Sequence, residues 1–100
     1  MMAIVKVKFA PTWRLMYSED AIALARADLA AGKFVKESCW FQVDGDSKDA
    51  AEEAFDLTNN PTREDERAAK FGRDRCVSSG DIVVVGEEQW LCLSIGWKQL

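Results

Sequence analysis

The sequence predicts a single α+β domain, in which an antiparallel sheet of about four strands is packed by two to three helices. Three observations support this prediction. Residues 2–10 alternate apolar side chains with lysines at the period of a strand, and residues 18–32 repeat apolar side chains at helical spacing. Residues 82–95 contain two apolar runs around a glycine turn, which predicts a C-terminal β-hairpin. Since such strands and helices have compatible apolar faces, we expect a two-layer domain over residues 1–100 with both main helices on one side.

The first half of the chain predicts a strand, a helix and a second strand. Pro11 ends the first strand, and the bulky side chains of residues 12–17 are expected to pack over an edge of the core. Ser18 is a good N-cap for a helix that ends at Gly32. Residues 33–43 predict one long strand with Val35, Glu37, Cys39, Phe41 and Val43 facing the core. Trp40, on the other face, is either an exposed anchor for a partner or a contact of the hairpin.

The second half predicts two short helices before the hairpin. Residues 44–47 form a turn, since the further oxygen ligands of a calcium loop are missing. The next helix ends at about Thr58, before Pro61, and Thr62 is the expected N-cap of a charged helix that ends at Gly72. Ile82 to Val85 predict a central strand, buried on both faces. The side chains predicted to be inside are the helix stripe Ala51, Ala54, Phe55 and Thr58 and the hairpin residues Ile82, Val84 and Leu91.

The net charge of the chain disfavours two classes of function. The chain carries 17 acidic and 13 basic residues, a net charge of −4. Direct DNA binding is therefore disfavoured, because non-specific affinity for nucleic acids comes from clustered Lys and Arg. A mimic of DNA would need more acidic residues on one face than this balance offers.

Residues for catalysis or metal binding are scarce. The chain has no histidine, and Cys39, Cys76 and Cys92 form no CxxC pair. We therefore expect no metal, no cofactor and no enzymatic activity. Cys39 and Cys92 lie in apolar runs and are interpreted as small buried side chains. Cys76 follows Arg75, whose positive charge could lower the pKa of the thiol, so a reactive Cys76 remains an alternative.

The sequence predicts a cytoplasmic protein. An odd number of cysteines fits a reducing compartment. Residues 1–9 lack the apolar core of a signal peptide, and no apolar stretch approaches the ~20 residues that span a bilayer. We expect no contact with a membrane.

A cluster of arginines gives the candidate binding surface. Arg63, Arg67, Arg73 and Arg75 fall within thirteen positions of an acidic chain. Guanidinium groups suit carboxylate, phosphate and aromatic partners. The predicted partner-binding residues are Asn59, Asn60, Arg63, Arg67, Arg73, Arg75 and Trp97. The structural alternative is that these arginines pair with Glu64, Asp65, Glu66 and Asp74.

Three stretches carry a resemblance to a known family. AFDLTNNPTREDER, VSSGDIVVV and WLCLSIGWKQL are similar to the YodL-like domain of small proteins on plasmids, phages and integrative elements. The resemblance covers roughly residues 49–100. It implies cargo of a mobile element, where small acidic proteins often act by binding host machinery.

Two hypotheses of function follow. The first is a non-enzymatic accessory protein that binds and inhibits a host protein or ribonucleoprotein complex, such as a CRISPR effector or a restriction enzyme. The alternative is a nucleic-acid-associated regulator that uses the Arg63–Arg75 segment.

Overall fold

The computed structural model describes residues 1–11 and 19–100, which form an α+β fold. Two predictions lie outside the described residues. They concern residues 12–17, including Trp13 and Tyr17, which were expected to pack over an edge of the core, and the N-cap Ser18. The elements in chain order are β1 Met2–Lys8, α1 Glu19–Ala30, β2 Phe41–Asp44, α2 Ser47–Asn59, a 3-10 turn Pro61–Arg63, α3 Glu64–Lys70, β3 Ile82–Val85, β4 Glu88–Cys92 and β5 Trp97–Gln99.

The five strands form one antiparallel sheet in the order β2-β1-β3-β4-β5. All four residues of β3 are buried, which confirms the prediction of a central strand. The predicted hairpin joins β3 to β4 through Gly86, whose φ of 60° suits the first position of a tight turn. The chain then turns once more, and β5 adds an edge strand that the sequence did not predict.

One face of the sheet carries α2. Ala50, Ala51 and Ala54 are completely buried, and their small side chains let the helix approach the strands closely. Leu57 fills the interface and joins a core that includes Val5 and Val83, one from each central strand.

The opposite face carries α1, so the prediction of both helices on one side is wrong. Ala21 and Ala25 of α1 form a second core with Ile82, Val84 and Leu91. The physical reason lies in β3. Successive side chains of a strand point to opposite faces, and a strand made only of Ile and Val needs apolar cover on both.

The long strand predicted for residues 33–43 is interrupted by a bulge. Val5 pairs with Phe41, whereas Lys8 pairs with Glu37, so the outer strand has one residue more than β1 between these pairs. Such an insertion shifts the alternation by one and moves side chains to the other face. Phe41 and Val43 are buried as predicted, but Val35 is 85% exposed and Glu37 and Cys39 are exposed, which corrects the prediction for these three.

Two predictions about the helices also need correction. Phe55, expected in the core, is 38% exposed, because the buried stripe of α2 passes through Ala54 and Leu57 and leaves Phe55 at its flank. Asn60, and not Thr62, caps the turn that leads into α3: its Oδ1 accepts from the backbone N–H of Thr62 at 3.0 Å. Thr58 is buried as predicted. Gly72 follows the last turn of α3 with a φ of 85°, which agrees with the predicted end of that helix.

Candidate partner-binding surface

The C-terminal end of α2 is fastened to the segment that precedes β3. Asn59 donates from Nδ2 to the carbonyls of Phe55 and Val77, at 2.9 Å each. The buried hydroxyl of Thr58 accepts from the N–H of Val77 at 3.1 Å. These bonds satisfy backbone groups at the end of the helix and hold residues 77–79 beside it.

Two grooves meet at Asn59, and we call them the Arg67 groove and the Ser94 groove. The Arg67 groove, of about 230 Å³, is lined by Thr58, Asn59, Asn60, Pro61, Glu64 and Arg67. The Ser94 groove, of about 340 Å³, is lined by Phe55, Asn59, residues 77–79 and residues 92–94.

The structure thus brings together three of the predicted site residues, Asn59, Asn60 and Arg67, in one groove. Trp97 stands beside the other groove, with its ring edge-on to that of Phe55 at 6.3 Å between centroids.

Arg63 lies among three carboxylates. It donates from Nε and Nη2 to both oxygens of Glu66, from Nη1 and Nη2 to Glu53, and from Nη1 to Asp56, over 2.7–3.1 Å. The hydrogen bonds with Glu66, Glu53 and Asp56 raise the pKa of Arg63. The bond from Arg63 in turn lowers the pKa of Glu66, and a weaker one from Lys70 adds to it. Arg63 therefore joins α2 to α3.

Arg75 is bound to a buried carboxylate. Its Nη1 and Nη2 donate to the two oxygens of Asp81 at 2.6 and 2.7 Å, and the Asp81 side chain is completely buried. The guanidinium also lies 4.8 Å from the centroid of the Phe9 ring. Asp81 accepts two further bonds from the backbone N–H groups of Ala10 and Ser78.

Arg67 and Arg73 differ from these two. Arg67 donates from Nη2 to the backbone carbonyl of Asp74, and its guanidinium lies 5.5 Å from the centroid of the Phe71 ring. Its buried Nε finds no acceptor in the part of the chain that the structure describes. Arg73 is exposed, and within residues 1–11 and 19–100 it has no ion pair.

The pairing alternative holds for two arginines: Arg63 pairs with Glu66 as expected, but its other partners and that of Arg75 are carboxylates that the sequence did not identify. Asp81 and the α2 carboxylates of Glu53 and Asp56 lie six to ten positions away from their arginines, beyond the reach of helix-neighbour rules. Sequence reasoning also missed the serines that line the Ser94 groove, since Ser78 and Ser79 precede β3 and Ser94 follows β4, and only folding brings the two stretches to the same side of α2. These serines stand in two of the stretches that resemble the YodL-like domain, but nothing in those stretches indicates that they line one groove.

A separate surface lies at the other end of the sheet, around Trp40. This side chain is 51% exposed, and Lys6 of β1 places its Nζ 4.8 Å from the ring centroid while pairing with Glu37 at 3.1 Å. A cavity of about 370 Å³ is lined there by Ile4, Trp40, Phe41, Gln42 and Lys70. Trp40 is thus exposed, as the interpretation of this residue as an anchor for a partner requires.

The cysteines differ in exposure. Burial, together with the nearby Asp81 carboxylate, raises the pKa of the Cys92 thiol to about 12, so this thiol is protonated at neutral pH. Cys39 is exposed and Cys76 is half-buried. Across the described residues, no group of three acidic or cysteine side chains is placed to hold a metal ion.

Comparisons with known proteins give no match: neither a protein-family profile, nor a curated protein, nor a solved structure matches the chain. The likeness to the YodL-like domain therefore stays a prediction. Among the described residues, no helix is long and apolar enough to cross a bilayer.

Proposed function

We propose that the chain is a non-enzymatic binding protein that captures a host protein complex with the surface around Asn59. The observation that supports this proposal is the meeting of the two grooves at Asn59, beside the Phe55 and Trp97 rings. Shallow grooves with polar walls and an aromatic rim resemble the anatomy of protein interfaces, in which aromatic and arginine side chains supply much of the binding energy.

The charge around the grooves favours a basic partner. Residues 44–66, which include α2 and the start of α3, carry nine acidic and two basic residues. Opposite potentials steer association and suppress wrong partners. A nucleic-acid-binding enzyme presents such a basic surface, which agrees with the proposal that the partner is a defence complex such as a CRISPR effector or a restriction enzyme.

The proposed setting is the cytoplasm of a bacterium that carries a mobile element. It follows from the resemblance of residues 49–100 to the YodL-like domain. In this setting the protein inhibits the host complex by occupying its surface, and it needs no chemistry of its own.

Affinity capture from a bacterial lysate tests the proposal. The tagged chain is compared with the double variant Glu64→Arg and Ser94→Arg, which places a long cation in each groove. Val35→Arg, outside both grooves and on an exposed side chain, is the matched control. We expect the chain and the control to retain one specific complex, identified by mass spectrometry, and the double variant to lose it. Recovery of general chaperones alone, or equal recovery by the double variant, would contradict the proposal.

The second candidate function is a nucleic-acid-associated regulator that uses the Arg63–Arg75 segment. It is favoured by Arg73, which is exposed, and by Arg67, whose charge meets only a backbone carbonyl and a ring among the described residues. A salt titration of DNA binding separates the candidates, because each phosphate contact steepens the loss of affinity with salt. A flat salt dependence, or no binding at low salt, would exclude the regulator.

A further inference from the structure

Within residues 1–11 and 19–100, no strand pairs with the outer edge of β2. β2 is the first strand of the sheet and pairs on one side with β1. The backbone N–H of Gly45 donates to the carbonyl of Met1 at 2.6 Å, and the register continues with Ala3 opposite Val43. Hydrogen bonding alternates along an antiparallel pair, so Val43 and Phe41 bond to β1, while the N–H and C=O groups of Gln42 and Asp44 point away from the sheet.

An apolar surface continues from this edge. Gln42 pairs with Ile4, so the two side chains share the sheet face opposite α2. Ile4 is 54% exposed and lines the cavity of about 370 Å³ together with Trp40 and Gln42. A strand added to β2 would therefore find backbone partners at Gln42 and Asp44 and an apolar contact at Trp40.

Charge decides which strand fits. Asp44 is exposed, and Asp46 follows it after the turn at Gly45. In an antiparallel pair of β2 with a second copy of itself, Asp44 would lie opposite Gln42 or Trp40 of the other copy, so β2 of the second copy would supply no cation for it. A segment with a Lys or Arg opposite Asp44 has the complementary charge.

We propose that β2 binds an extended segment of a partner protein as a sixth, antiparallel strand. A basic side chain of the segment lies opposite Asp44, and an aliphatic side chain four residues further on covers Trp40. Backbone hydrogen bonds give affinity in this mode, and alternate side chains give specificity. The site is separate from the two grooves at Asn59, so the proposal goes beyond the proposed function and does not depend on it.

Titration of the isotope-labelled full chain by NMR tests this proposal. The probe is the peptide acetyl-Thr-Lys-Thr-Thr-Thr-Leu-Thr-amide, in which lysine, central threonine and leucine match Asp44, Gln42 and Trp40. We expect saturable shifts of the Gln42 and Asp44 amides and of the Trp40 indole. Methylation of the peptide nitrogens of the lysine and the central threonine, which removes the donors that face β2, should weaken binding about tenfold or more.

Variants of the chain give matched controls. Gln42→Pro removes an outward N–H, and proline is tolerated at such edge positions, so the fold should persist while affinity falls. Val35→Ala should bind as the unchanged protein does. Asp44→Lys should prefer a probe in which glutamate replaces the lysine, and this exchange of preference keeps the test valid if the proline variant fails to fold.

Four results would overturn the proposal: no shift at Gln42 and Asp44, equal affinity for the methylated probe, no exchange of preference in Asp44→Lys, or shifts that depend on protein concentration without peptide. The last result would assign the edge to a second copy of the chain. Lysate capture through the Asn59 grooves is a separate readout, so either proposal can fail while the other stands.

Discussion

Arg73 and Arg75 are two residues apart, yet their surroundings predict opposite consequences of substitution. Arg75 compensates the charge of a completely buried carboxylate, Asp81, which also accepts from two backbone N–H groups. Arg73 is exposed. The sequence placed both arginines on one recognition surface, because nothing in the residues around Arg75 shows that its side chain pairs with the buried Asp81.

A stability series tests this difference at the residue scale. We expect Asp81→Ala to lower the free energy of unfolding by about 3–5 kcal/mol, since it leaves a guanidinium and two backbone donors without their acceptor. Arg73→Ala should change it by about 0.5 kcal/mol or less, as exposed substitutions do. Urea unfolding followed by circular dichroism measures both. Equal effects of the two substitutions would contradict the described role of Asp81.

Arg63 changes the design of a charge-reversal experiment. If Arg63 and Arg73 were both solvated residues of one recognition surface, Arg63→Glu combined with Arg73→Glu would leave melting nearly intact. The structure makes this untenable for Arg63, because a fourth carboxylate would stand among Glu53, Asp56 and Glu66. Arg73→Glu alone is the informative reversal for a binding experiment.

At the scale of elements, α2 shows how far periodicity reaches. The sequence predicted this helix and its end before Pro61, and Ala51, Ala54 and Thr58 are buried as expected. The inward stripe is centred one position away from the prediction, on Ala50, Ala54 and Leu57, and Phe55 turns to Trp97. The bulky aromatic side chain suggested a core residue, but the interface with the sheet is filled by alanines and one leucine.

Truncations in α2 test this helix phase. Leu57→Ala should lower the free energy of unfolding by about 2–5 kcal/mol, because it opens a cavity in a completely buried site. Phe55→Ala should cost about 1–2 kcal/mol, less than the 3–5 kcal/mol typical of a buried aromatic, since much of its ring is already in water. The same urea experiment ranks the two variants. A larger loss for Phe55→Ala would show that the phase of the helix is wrong.

The contact between α2 and α3 predicts a dependence on acid. The folded state lowers the pKa of Glu66 below its ordinary value of 4.5, chiefly through the bond from Arg63. A carboxyl of this kind stabilises the fold fully above its unfolded pKa, and the contribution is lost as pH falls through the lowered folded pKa. Melting should therefore weaken below about pH 5, and Arg63→Gln should flatten this part of the curve.

Melting midpoints between about pH 3 and pH 7 give the comparison, with Glu64→Gln as the neighbouring control. Glu64 lines the Arg67 groove but makes no ion pair with the described residues. An acid dependence in Arg63→Gln as steep as that of the unchanged chain would show that another carboxyl governs it.

At the scale of the whole molecule, the fold class, the central position of β3 and the closing hairpin follow from the sequence. These features rest on local patterns, such as the run Ile82–Val85 and the turn at Gly86. The side on which α1 packs, the bulge before β2 and the strand β5 depend on which strands become neighbours, and that is decided by contacts between distant residues.

For the candidate site, too, some residues could be predicted from the sequence and others could not. Asn59, Asn60 and Arg67 line one groove, and Trp97 contacts Phe55 at the edge of the other, while their role in binding stays a prediction. Arg63 and Arg75 form ion pairs with other side chains of the chain, so their guanidinium groups hold elements together. Of the serines that line the Ser94 groove, Ser78 and Ser79 precede β3 and Ser94 follows β4, and only the folded chain brings them together.

We propose that the protein inhibits a host defence complex by binding it through the grooves at Asn59. Transformation of a targeted plasmid into strains that each carry one restriction or CRISPR system measures this directly. We expect expression of the chain to raise the transformation efficiency about tenfold or more in at least one strain. The folded double variant Glu64→Arg and Ser94→Arg should have no such effect. Unchanged efficiency in every strain, or equal protection by the double variant, would contradict the proposed function.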